Sequence, residues 1–126
     1  MSTGVRVVSA ATLEWEPVGS GNVRQKIVRA NEETGEFLGL MSIDAFARTG
    51  LHKHLDVAFA YHLSGASTNY STLVTRGQLG ITLNGTVHET VIYEPTLSVV
   101  RTEGRTMYPQ SSGSDHVHAG AVHGEM

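Results

Sequence analysis

The chain has 126 residues, enough for one domain and too few for two of ordinary size, and its 40% hydrophobic and 17% charged residues support a packed core. Nine Lys and Arg against twelve Asp and Glu leave a formal charge of −3 without a basic cluster, so neither nucleic acid nor an anionic membrane is expected as a partner. The absence of cysteine excludes disulfides, thiolate metal sites and thiol nucleophiles, and any metal must be held by nitrogen or oxygen.

From the N-terminus, Met1-Ser-Thr-Gly-Val-Arg6 lacks secretory character, and no apolar run approaches the roughly 20 residues that span a bilayer, so a soluble, cytoplasmic protein is expected. Trp15, the sole tryptophan, reads as the anchor of an N-terminal segment packed on the body of the domain. Strand signals rich in Val, Ile, Thr, Tyr and Phe then follow at residues 24–29, 37–43, 57–63, 69–74, 87–93 and 97–101. Asn31-Glu-Glu-Thr-Gly35 and Leu83-Asn-Gly-Thr86 read as hairpin connections, and Glu94-Pro95 as another chain reversal. No heptad or longer repeat occurs. Closely spaced strands without intervening helices predict an all-β, antiparallel barrel over residues 1–109, and residues 110–126, which offer almost nothing to a core, read as a flexible polar tail.

Seven histidines are the chemical feature of the chain. His52 and His54 are one residue apart, so on a strand both side chains leave the same face and can grip one cation. Such a pair is common by chance at this histidine frequency, and the tail holds another in His116 and His118, with His123 beyond it. A flexible tail must be ordered to bind, so adventitious metal binding is expected there.

Two spaced segments add specificity. His52-Lys-His-Leu-Asp-Val-Ala-Phe-Ala-Tyr-His-Leu-Ser-Gly65 resembles the first cupin motif, and Gly77-Gln-Leu-Gly-Ile-Thr-Leu-Asn-Gly85-Thr-Val-His88 resembles the second. The 11 residues between Gly65 and Gly77 suit a short cupin. The resemblance implies a double-stranded β-helix, or jelly roll, with His52, His54 and His88 as metal ligands. Four positions depart from the pattern. Phe59 stands where the family has its metal-binding glutamate, Phe46 replaces the first-motif glycine, Leu83 the second-motif proline, and Ile92 the final asparagine. A neutral three-histidine set results, which is similar to that of dihydroxyacetophenone dioxygenase and the β-diketone-cleaving dioxygenases. That similarity implies an iron(II) centre that uses molecular oxygen to cleave a carbon–carbon bond beside a carbonyl in a small molecule. Imidazole suits zinc, nickel and copper as well, and manganese is a further candidate. The alternatives are a non-catalytic cupin that binds a ligand or assembles, and a non-oxidative metal lyase or isomerase.

With Phe59 taken as inward, strand alternation puts Tyr61 and Leu63 inside and Ala58, Ala60, His62 and Ser64 outside. Phe59 and Tyr61, with Ile92 on the His88 face by alternation, are the candidate walls of a substrate pocket. The small outward face, His62 included, is expected to pair with a second copy in a homodimer. Glu94 shares the His88 face by alternation and is a candidate acid or base.

Overall fold

The computed structural model describes residues 4–19, 21–69, 71–109 and 115–118. Apart from one 3-10 turn at Ala10–Thr12, its regular structure is entirely β. The strands are β1 (Glu16–Val18), β2 (Val23–Ala30), β3 (Phe37–Ile43), β4 (His52–His54), β5 (Ala58–Asn69), β6 (Thr72–Thr75), β7 (Leu79–Thr82), β8 (Val87–His88), β9 (Thr90–Thr102), β10 (Thr106–Pro109) and β11 (Asp115–His118). They form two antiparallel sheets. The larger runs β1-β2-β3-β9-β5-β6, with β7 also on β5, and the smaller runs β11-β10-β4-β8. Both sheets contribute walls to one cavity, and their hydrogen bonds do not close into a single ring. The result is the cupin-like jelly roll expected from the sequence.

The core follows from alternation. In β3 every second residue is buried, which puts Phe37, Met41 and Ile43 against Val18, Val23, Ile92 and Val100. Eight buried hydrophobic residues form this cluster; polar groups fill much of the remaining interior. Trp15 stays 41% exposed, with the Lys26 ammonium 4.9 Å from its ring centre while the same amine donates to the Ala10 carbonyl at 2.8 Å. The N-terminal segment is thus tied down by a cation over an aromatic face and one hydrogen bond.

The connection at Asn31–Gly35 is a hairpin between β2 and β3. Asn31 Oδ1 accepts from the Glu33 N–H at 2.9 Å, and Gly35 takes the positive φ of +82°. Two other turn expectations change. Leu83–Thr86 does turn, closed by Thr86 N–H to Leu83 O at 3.1 Å, but it carries the chain from β7 in one sheet to β8 in the other and is no hairpin. Glu94-Pro95 does not reverse the chain at all. Pro95 lies within β9, opposite Gly65 of β5, where the register shifts. A proline offers no N–H to the ladder and is tolerated where pairing lapses. Gly65 adopts a φ of +97°, and a Cβ there would come within 2.6 Å of the Pro95 carbonyl oxygen. The two residues lie together at the irregularity where the register of the long β5–β9 ribbon shifts.

Beyond residue 109, the backbone of β11 pairs with β10. The remainder of the segment 110–126 lies outside the described residues, as do His123 and the side chains of His116 and His118.

Candidate metal centre

The three histidines picked out by the two motifs meet. His52 and His54, both on β4, point to the same side as alternation requires, and β8 sets His88 directly opposite His52 in register. All three are buried. His54 Nε2 lies 3.2 Å from His52 Nε2 and 2.9 Å from His88 Nε2, and the rings stand edge to face at 68–71°. His52 Nδ1–H donates to the Gly50 carbonyl at 2.8 Å, which fixes that tautomer and leaves Nε2 a bare lone pair. On its other side the His52 ring packs on the buried ring of Tyr108, 5.1 Å between centres.

Electrostatics keep the cluster neutral. Burial pushes His54 down to about 3, aided by repulsion from His52 and His88. Burial, with His52 next, takes His88 down to about 4. His52 is lowered by burial too, against an opposing pull from its bond to Gly50 and from Glu89. One N–H can point at only one neighbour, so three Nε2 atoms this close leave a lone-pair contact that a cation would relieve. Nitrogens about 2.1 Å from one ion at angles of 90–109° lie about 3.0–3.4 Å apart, close to the spacings observed. His52, His54 and His88 are also the group of described residues whose ligand atoms could hold a metal. The residues fit a divalent ion.

These rings line a cavity of about 80 Å³. Met41, Ile43, Ala58, Ala60, Ile92 and Val100 supply its apolar wall, and no Asp, Glu, Lys or Arg borders it among the described residues. Of the pocket residues expected from the sequence, Ile92 is buried in the wall and Phe59 touches it while only half-buried. Tyr61 does not line the cavity; it is 40% exposed on the outer face. The reason is a reversed alternation in β5. Ala58, Ala60 and His62 face inward, and Tyr61 and Leu63 face out. The face assigned to a homodimer contact is therefore the interior. Glu94 is exposed, so it is no acid or base within the cavity.

His62, placed outside by the sequence reading, is a buried cavity residue. Its Nε2 lies 2.8 Å from Ser67 Oγ and its Nδ1 2.7 Å from Ser98 Oγ, and both serines are buried and line the same cavity. Burial lowers its pKa. The sequence held two signals for this. Ala58 and Ala60 are small enough to leave a void in front of them, and Gly65 inside a strand marks a bulge that carries the odd-numbered Ser67 to the side of the even-numbered His62.

A profile for the ChrR cupin-like domain matches residues 3–107. The chain belongs to this cupin family. Among solved structures, this cupin resembles an acetylacetone dioxygenase from Acinetobacter johnsonii at 13% identity and a TM-score of 0.77, over 94% of this chain and 89% of that one. It also resembles a protein from Methylibium petroleiphilum described as a candidate acetylacetone dioxygenase, at 15% identity and a TM-score of 0.78, over 97% and 90% of the two chains. A chain from the Rhodobacter sphaeroides complex of SigE with the anti-sigma ChrR matches at 21% identity and a TM-score of 0.63, over 75% of this cupin and 51% of that chain. At these identities the likeness establishes the shared fold. No curated protein matches in sequence. No helix among the described residues is long and apolar enough to cross a membrane.

Proposed function

We propose that this cupin is a metal-dependent dioxygenase, using iron(II), that cleaves a carbon–carbon bond beside the carbonyl of a small enolisable ketone. The observation that carries the reading is the convergence of three neutral imidazoles in a cavity without an acidic side chain. Three uncharged ligands leave the whole charge of a divalent ion to be offset by what enters the cavity, which favours an anionic chelator such as an enolate over a neutral molecule. Bound there, a redox-active divalent ion would supply Lewis acidity toward the ketone oxygens and electron transfer to molecular oxygen. His52, His54 and His88 would hold it, with His52 oriented by Gly50 and Tyr108. Met41, Ile92 and Val100 give the cavity an apolar wall that would keep water from a substrate lying against it. A cavity of about 80 Å³ is small beside the several hundred Å³ of drug-sized sites, which restricts the ligand to a compact molecule. The resemblance to acetylacetone dioxygenases in fold supports the same substrate class.

The test is oxygen uptake by iron-loaded protein with acetylacetone. The expected result is stoichiometric consumption of oxygen and ketone that is lost when iron is replaced by zinc. Full iron occupancy without uptake, on acetylacetone and on hydroxyacetophenones, would falsify the assignment. A second reading is favoured by the family itself: the match to the anti-sigma complex supports a regulatory module that binds metal or ligand without turnover. It predicts metal binding at the same three histidines and no reaction. Net conversion of a substrate to a different product with zinc or nickel under nitrogen would instead mark a lyase or isomerase.

We also propose that two copies pair, through a face other than the one expected from sequence. Tyr61, Leu63, Leu79 and Ile81 are between 40% and 56% exposed on the outside of paired strands β5 and β7, with Val99 of β9 beside Tyr61.

A further inference from the structure

We propose that His62, with Ser67 and Ser98, forms the proton relay that turns a ketone into its enolate beside the metal centre. The inference rests on the dioxygenase reading for its substrate class and otherwise on three observations. An enolisable ketone must lose a proton to become an anionic chelator, and a base beside the metal centre speeds that loss for a ketone that enters un-ionised. Among the described residues that line the cavity, the only titratable side chain besides the three candidate ligands is His62, and none of them is a carboxylate. The ring is also held in a chain that can carry a proton, with a serine hydroxyl on each nitrogen at 2.8 and 2.7 Å.

The register gives the chain a direction. Ser67 pairs with Ile92, four residues from His88 on the segment that leads out of β8, whereas Ser98 sits six residues further along β9. Ser67 is therefore on the side of the metal centre. The α-carbon–hydrogen bond of the ketone breaks and its electron pair enters the enolate. The proton passes to Ser67 Oγ as the hydroxyl's own proton passes to His62 Nε2. The resulting imidazolium keeps its Nδ1–H on Ser98 Oγ, and the reverse transfer returns a proton to the product. Ser67 is the group that touches the substrate; His62 acts through it and holds the proton.

The test uses the full chain loaded with zinc under nitrogen, so that oxygen chemistry is silent. By NMR it reads the exchange of the α-protons of α-hydroxyacetophenone with heavy water. Wild-type protein should accelerate exchange. His62→Gln, whose amide can still bond a serine but holds no added proton, should lose about a hundredfold of it with zinc stoichiometry unchanged. Ser67→Ala should lose a similar factor, and its rate decides the matter if the His62 variant does not fold. In protein labelled with 15N-histidine, acetylacetone should give the His62 ring a second N–H. Wild type without acceleration, a His62→Gln variant that exchanges at the wild-type rate, or a His62 ring that stays neutral with acetylacetone bound, overturns the relay. The two readings fail separately. Loss of exchange in the variants, with no oxygen uptake by iron-loaded wild type, would keep the relay and remove the dioxygenase. Uptake with exchange indifferent to His62 would do the reverse.

Discussion

Phe46 carries the cost of one departure from the cupin pattern. It occupies the place of the first-motif glycine and is the one non-glycine among the described residues with a positive φ, +66°, a region that disfavours any side chain with a Cβ. Its ring is 80% exposed, so little packing offsets the strain. Phe46→Gly should raise stability by about 1 kcal/mol in urea denaturation, the relief of strain exceeding the extra chain entropy of glycine. The candidate ligands give a second effect at this scale. Their folded-state pKa values lie below the ordinary 6.5, at about 4 for His88 and about 3 for His54. Unfolded chains therefore take up protons that folded chains refuse. Metal-free protein should be most stable above pH 6.5 and lose stability as the pH falls from there toward 3, by up to about 1.4 kcal/mol per pH unit for each ring. Urea midpoints at successive pH values would show it, and a flat profile between pH 7 and 4 would contradict the buried neutral cluster. His88→Ala should abolish stoichiometric metal binding by elemental analysis; full occupancy in that variant would remove His88 from the centre.

The long β5–β9 ribbon decides the interior at the level of elements. Its register shift around Gly65 and Pro95 accompanies the placing of Ser67 beside His62, and the close approach there leaves no room for a Cβ at Gly65. Gly65→Ala adds an atom against the backbone of Pro95 and Thr96 at a φ of +97°. The substitution should cost at least about 2 kcal/mol, since neither backbone nor strand register can yield cheaply. A cost under 0.5 kcal/mol by chemical denaturation would show that the register is softer than the pairing implies. The three-residue β4 works differently. It gains its precision from neighbours, with β8 on one edge, β10 on the other, and Tyr108 against His52.

The molecule as a whole is two sheets around a small, largely apolar cavity, with a further apolar surface outside β5 and β7. Pairing through that surface should give a species of twice the 13.5 kDa chain mass in light scattering at micromolar concentration. Leu79→Ser combined with Ile81→Ser should shift it to monomer without altering metal content. A wild-type monomer at the same concentration would end the dimer proposal. Metal binding across β4 and β8 should couple the site to global stability, because an ion that binds only the folded chain adds its binding free energy to folding. The melting temperature should rise with added zinc and fall back with a chelator.

Composition, turn residues and strand-forming runs sufficed for the all-β class, and two spaced motifs sufficed to bring His52, His54 and His88 into one set. Those inferences rest on local rules: side chains alternate on a strand, and a histidine pair one residue apart shares a face. The inside of β5 was not legible in the same way. Alternation yields two opposite faces without saying which is buried, and taking Phe59 as inward reversed Tyr61 and His62 together. Only the packing of β5 between β9 and β7 chose the face, because the small Ala58 and Ala60 leave the void that Tyr61 and Leu63 would fill. The Ser67–His62–Ser98 chain depends further on a bulge and on register between strands about thirty residues apart in sequence. Such long-range pairing is set by the whole sheet, which no local stretch of residues encodes.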